Sequence, residues 1–212
     1  MRLHTYRLEA DTLCLGERIK GGLHRPCSRS LRYSTITPAL RQRFGMPNLH
    51  AVGVFIENGE SPSYLVYSPT DRVMGVAKIP LTLEYLTNVE GLVFMVCDAE
   101  PPTGKFSLML GAYRSKGFGR TTLTYLPQVS EYSIRPGKLG VRLPLDTAQI
   151  FGIEIIRPVY GYLWRPDESE PLTRGSYVPS LFEDTLCRAP NCLLKEEMTW
   201  TLLDKKSQAK IP

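Results

Sequence analysis

Residues 110–120 read LGAYRSKGFGR, and they concentrate more groups suited to chemistry than any other stretch of the chain. Gly111, Gly117 and Gly119 permit positive φ and let the backbone come close to another chain. Amides exposed in such a loop donate to phosphate oxygens. Arg114, Lys116 and Arg120 place positive charge around those amides, with Ser115 between them. Tyr113 and Phe118 offer flat faces on which a base can stack. The chemistry implied is recognition of a phosphate-bearing strand rather than bond-making. A Walker loop needs GxxxxGK[ST] between a strand and a helix, and here the glycines run into GFGRTT and a β-like segment. A dinucleotide fingerprint needs GxGxxG opening a helix, which is absent. A hairpin bulge alone would not need three cations.

The charge pattern points the same way. The chain of 212 residues has a net charge of +5 and a pI near 9.0. No Asp or Glu occurs from 18 to 56, a span that holds Arg18, Lys20, Arg25, Arg29, Arg32, Arg41 and Arg43. None occurs from 101 to 130 either, where Lys105, Arg114, Lys116 and Arg120 lie. Acid-free basic stretches suit a polyanion, since neighbouring carboxylates would repel phosphate. The candidate set for binding such a strand is therefore Arg25, Arg29, Arg32, Arg41, Arg43, Tyr113, Arg114, Ser115, Lys116, Gly117, Phe118, Gly119 and Arg120.

Five cysteines are an odd count. Cys187 and Cys192 are spaced C-x4-C, but no second Cys/His pair accompanies them, so no metal site or cofactor is assigned. The opening residues mix charged and apolar side chains and resemble no signal peptide. No run approaches the roughly 18 apolar residues of a membrane span. Reduced thiols in a cytoplasmic protein with no membrane partner are the expectation.

These groups need a scaffold. Residues 3–13 read as a strand, and 18–32, with paired Gly and a Pro, as a loop. A two-turn helix is expected from Thr37 as cap, Pro38 in the first position and Gly45 as left-handed stop. Segments 51–56 (AVGVFI) and 63–67 flank Asn58-Gly59, which predicts a hairpin. Segment 79–86 reads as strand or short helix, and 91–97 (GLVFMVC) as a buried strand. Segments 106–110 and 121–126 flank the glycine loop. A short helix capped at Asp146 and stopped by Gly152 is expected, then a strand at 158–164, a helical turn at 180–186 and a last strand through Met198, Trp200 and Leu202. Strands with few short helices in mixed order give an α+β fold. One domain over 1–203 and a charged flexible tail at 204–212 are expected.

The string SKGFGR resembles the glycine-rich loop of the CRISPR-associated RAMP superfamily, in which a strand ending in Leu-Gly-(Gly/Ala) leads to a basic Gly-Phe-Gly-Arg-like turn. Segment 31–44 (LRYSTITPALRQRF) is similar to that family's early loop and helix, and RPVYGYLWRP with GSYVPSLF resembles its closing strand pair. The resemblance implies a ferredoxin-like (RRM-like) core with β-rich extensions and a glycine-rich hairpin loop. It implies a non-catalytic subunit of a class 1 effector that caps the repeat-derived five-prime handle of the guide RNA. Its partners would be guide RNA, other effector subunits and target nucleic acid. A backbone subunit along the spacer is the alternative within the family, with 61–88 as the candidate thumb insertion.

Catalysis has weaker support. Some members of that superfamily cut precursor RNA with a His plus Lys or Tyr, and this chain has only His4, His24 and His50. The alternative reading is a metal-independent ribonuclease using His24 with Lys20 or Tyr33. Asp71 is a loop carboxylate beside cations, read as turn-forming before catalytic. A protein–protein adaptor is the reading outside nucleic acids.

Overall fold

A computed structural model describes residues 3–16, 23–56, 62–71, 73–127, 132–167 and 174–197. The expected tail at 204–212 and the expected strand through Met198, Trp200 and Leu202 lie outside the described residues. The chain is a mixed α+β protein built mostly of strands.

The N-terminal layer comprises β1 (His4–Leu13), β2 (His24–Arg25), α1 (Tyr33–Phe44), β3 (His50–Phe55), β4 (Ser63–Tyr67), β5 (Leu81–Val96), β6 (Lys105–Met109) and β7 (Arg120–Leu126). The C-terminal layer comprises β8 (Ile134–Leu139), β9 (Leu143–Pro144), β10 (Glu154–Arg157), β11 (Tyr160–Pro166), β12 (Gly175–Leu181), β13 (Leu186–Pro190) and β14 (Leu194–Glu197). In the first layer β5 and β7 both run antiparallel to β1, and β3 runs antiparallel to β5, so β3 is parallel to β1 with β5 between them. α1 makes that crossover. β6 pairs outside β7 and closes the sheet at the other edge.

Alternation along the strands sorts side chains onto two faces. Tyr6, Leu8, Ala10, Val93, Met95 and Leu123 meet Ile36 and Leu40 of α1 in one core. Leu3, Val52 and Phe94 point the other way, against Leu139, Leu143, Phe151, Leu181 and Leu193 of the C-terminal layer. Polar ties cross the same seam. Glu183 accepts from Ser30 and Arg142, the Tyr33 amide donates to the Arg142 carbonyl at 3.1 Å, and the Thr5 and Tyr132 hydroxyls meet at 2.7 Å.

Several local expectations are corrected. α1 begins four residues before Thr37, with Arg32 in the cap position and Pro38 inside the helix. Thr37 cannot cap, because its buried hydroxyl is committed to β3: it donates to the Ala51 carbonyl at 2.8 Å and accepts from the Ala51 amide at 2.9 Å. Gly45 does stop the helix, at φ 65°. The 51–56/63–67 hairpin does not form, because β3 and β4 each pair with a different part of β5. Segments 79–86 and 91–97 are one strand of 16 residues, interrupted by Asn88 at φ 48°. Asp146 does not cap an α-helix. Residues 145–151 form two short 3-10 turns, and the Asp146 carboxylate takes both arms of Arg165 at 2.8 and 2.6 Å. The helical turn expected at 180–186 is the end of β12, a turn at Asp184 (φ 65°) and the start of β13.

Thr37→Val keeps the shape and strands a buried donor and a buried acceptor of Ala51. It is expected to cost about 2 kcal/mol of unfolding free energy, measured by urea titration.

Candidate nucleic-acid interface

The glycine loop is held at the end of β1 by main-chain bonds. The Gly119 amide donates to Thr12 O at 2.9 Å, Ala112 to Cys14 O at 2.8 Å, and Leu110 to Gly119 O at 2.8 Å. Two glycines are obligatory for this seat. A Cβ on Gly111 (φ 80°) would collide with the Cys14 carbonyl, and one on Gly119 (φ 91°) with the Leu110 carbonyl. Gly117 (φ 90°) faces open space, so only its dihedral calls for glycine. Between them Tyr113 is left-handed at φ 56° and 114–116 form a single 3-10 turn.

That turn projects its cations outward. Arg114, Ser115, Lys116, Gly117 and Arg120 are exposed, and among the described residues no carboxylate pairs with Arg114, Lys116 or Arg120. Tyr113 and Phe118 are half-buried instead of free to stack. Tyr113 sits edge-on against Tyr67 of β4 at 6.2 Å between centroids, and Phe118 against Tyr85 of β5 at 5.0 Å. The Lys116 ammonium lies 5.1 Å from the Tyr67 ring centroid. Tyr67 and Tyr85, which sequence reasoning missed, thus complete a platform of four rings beside three cations. Their signal was the alternation SYLVY/LTLEY in two strands that pair Leu65 with Leu83 and Ser63 with Tyr85.

Arg25 joins this face. It pairs in register with Leu83, and its charge offsets part of the rise that burial gives the Tyr113 hydroxyl pKa. The remaining predicted residues do not assemble here. Arg29 is drawn to the buried Glu84, 2.6 Å away, whose other oxygen accepts the Cys27 amide at 2.9 Å. Arg32 donates to the Leu15 and Gly16 carbonyls at 2.9 and 3.1 Å and ties β1 to α1. Arg41 donates through Nε to Leu49 O at 2.8 Å and lines a separate cavity beside His50, while Arg43 is exposed in the last turn of α1.

The residues weighed for catalysis also separate. His24 faces Glu84 at 4.0 Å and the Tyr64 ring, whereas Tyr33 bonds Nδ1 of His50 at 2.8 Å, so the His24–Tyr33 pairing is not made. Lys20 lies outside the described residues. Asp71 is a turn former: its carboxylate accepts the Val73 and Met74 amides at 2.9 and 3.0 Å and pairs with Lys78 at 3.0 Å. Those amides and that cation hold its pKa below the usual carboxylate range. Burial pushes the Cys187 and Cys192 thiols up to about 12. Among the described residues no cluster of three His, Cys, Asp or Glu is placed to hold a metal ion. No helix there is long and apolar enough to cross a membrane.

No protein-family model matches the chain, and comparison with curated proteins finds no match.

The two kinds of glycine give opposite expectations on substitution. Gly119→Ala must unseat the loop from β1 and is expected to lower the melting temperature by several degrees, on the order of 2 kcal/mol or more. Gly117→Ala meets no atom and is expected to cost about 1 kcal/mol through its dihedral alone. Thermal unfolding of the two variants side by side checks the assignment.

Proposed function

We propose that the chain binds single-stranded RNA through the glycine loop and its ring platform. It does so as a non-catalytic, guide-RNA-binding subunit of a CRISPR class 1 effector of RAMP type, acting in the cytoplasm. One observation carries the reading: Arg114, Lys116 and Arg120 stand exposed, without carboxylate partners among the described residues, on a loop whose backbone glycine geometry fixes beside four rings. Fixed amides and cations suit phosphates, and the partly exposed edges of the adjacent rings offer apolar contact to unstacked bases or ribose. Duplex RNA would not offer its bases to the rings.

The strand order supports the ferredoxin-like part of the reading. β3-β5-β1-β7, all antiparallel, with α1 joining β1 to β3, follows the first half of a βαββαβ unit. The second crossover departs from it. Between β5 and β7 the chain forms β6 and the glycine loop, and no second α-helix occurs among the described residues. Membership of an assembly is supported by apolar side chains left in solvent, including Val66, Val73, Met74 and Ile79 around the Asp71 turn and Tyr160 and Tyr162 on β11. The first group falls in the stretch that a backbone subunit would use as a thumb.

Binding of a single-stranded repeat RNA, measured across salt concentrations, tests the reading. Arg114→Ala with Lys116→Ala is expected to weaken binding and to reduce the slope of log K against log salt by about 1.4, two phosphates at about 0.7 each. Equal affinity and slope in the variant would sink it.

A second reading, RNA cleavage, is favoured by the His50–Tyr33 pair in its cavity. Burial, then the Arg41 charge, lower the His50 pKa, so the imidazole is neutral at physiological pH and able to act as a base. It would take the proton of a 2′-hydroxyl, whose oxygen attacks the adjacent phosphorus. The P–O5′ bond then breaks, leaving a 2′,3′-cyclic phosphate and a 5′-hydroxyl that takes up a proton. Because the base must be unprotonated, cleavage would hold down to a pH below the ordinary histidine value of about 6.5 and fall only beneath it. Cleavage in chelator that His50→Ala abolishes establishes this reading; intact RNA after prolonged incubation removes it.

A further inference from the structure

β4 carries an open edge. It pairs with β5 over its whole length, Leu65 opposite Leu83, without a bulge. Its other edge bonds to no backbone group among the described residues. Unpaired strand edges template pairing with a further strand, and proteins blunt them with charge, internal proline or a bulge. The edge strands β2 and β6 of the same sheet carry Arg25 and Lys105, whereas β4 reads SYLVY and has none of these devices. Tyr64 is 60% exposed, Leu65 37% and Val66 68%. Tyr64 and Val66 lie on one face of the strand and Leu65 on the other, so what the three share is the edge and not a face.

The composition of β4 selects its partner. A charged strand would need opposite charges across from it, whereas SYLVY suits another uncharged strand. The same strand of a second copy meets that need. Laid antiparallel about Leu65, it sets Tyr64 against Val66, one of the favourable aromatic–β-branched combinations, and Ser63 against Tyr67. Pro62 and Pro69 lack amide protons, so they confine the ladder to the segment between them and limit its register.

We propose that two copies of the chain associate through β4, joining their extensions into one continuous sheet across a two-fold axis at Leu65. The axis stands perpendicular to the sheet, because directly opposed residues share a face. Each glycine loop covers the face that carries Tyr67 and Tyr85, so both loops lie on the same side of the joined sheet. One RNA strand reaching both would be held bivalently. The pairing itself goes beyond the RNA reading and needs no RNA; only the bivalence rests on that reading.

Sedimentation of the full chain, treated with nuclease, over a concentration series tests the pairing. A monomer–dimer equilibrium is expected, with Kd between about 5 and 200 μM, as suits a small interface. Leu65→Lys sets two ammonium groups directly opposite one another and is expected to weaken the dimer about tenfold or more. Leu65→Cys is expected to give a disulfide-linked dimer on mild oxidation, because opposed strand residues stand about 4.5–5.5 Å apart between Cα atoms, within disulfide reach. Ser63→Cys is expected to stay unlinked, since its two copies are offset by four residues, about 13 Å. A chain that remains monomeric up to about 500 μM overturns the proposal. So does a dimer that Leu65→Lys leaves intact, or one in which Leu65→Cys links no better than Ser63→Cys. Arg114→Ala with Lys116→Ala is expected to keep the dimer while weakening RNA binding. A dimer that binds no RNA therefore sinks only the RNA reading, and RNA binding by a strictly monomeric chain sinks only this one.

Discussion

The β5 ladder sets the terms for the rest of the molecule. Residues 91–95 are bonded between β1 and β3 and residues 82–83 between β2 and β4, while 86–90 pair with β1, so every stretch of the strand has at least one ladder partner. Backbone groups buried in a sheet must be paired, and here one strand supplies the partners for four others. The strand also changes character along its length. From Val89 onward it is sandwiched between two apolar cores, and before Asn88 it carries a half-exposed extension. Asn88, at φ 48°, marks the boundary between them.

That change of character places the interface. The extension would be a marginal three-stranded ribbon by itself. The glycine loop lies over it, and Tyr113 and Phe118 pack edge-on into Tyr67 and Tyr85. Edge-to-face pairs contribute about 0.5–1.5 kcal/mol each beyond their buried area. Rings that look in sequence like free stacking surfaces therefore also hold the loop down, and the cations beyond them are presented from a seat fixed at β1.

The strands and the loop could be read from alternation and glycine spacing because both signals are local. β1, β6, β7 and the buried half of β5 follow it closely. The corrections all involve partners distant in the chain. Thr37 looks like a cap until Ala51 claims its hydroxyl, and Asp146 likewise until Arg165 closes on it. Asn58-Gly59 suggests a hairpin, but β5 out-competes the local pairing with a longer ladder. The run from 18 to 56 lacks acids in sequence yet not in space, since Glu84 arrives from β5 to neutralise Arg29. For the same reason the described cations of that run part ways: Arg29 meets a carboxylate, Arg32 carbonyls and Arg41 a carbonyl beside a cavity, Arg43 stays exposed on α1, and among the described residues of the run only Arg25 reaches the loop's face. Tyr67 and Tyr85 escaped notice because nothing in their neighbourhood says which side of the extension the loop covers.

The seam between the layers bears on how the chain can be divided. Val52 and Phe94 are completely buried, and most of the side chains clustered with them come from residue 132 onward. A fragment ending after β7 would therefore keep every strand of the first sheet and lose the lid over one of its faces. Such a piece would present an oily slab to solvent and self-associate rather than behave as a minimal RNA-binding unit. Dissection by deletion is thus closed to this protein, and its parts are separable only by point substitution within the intact chain.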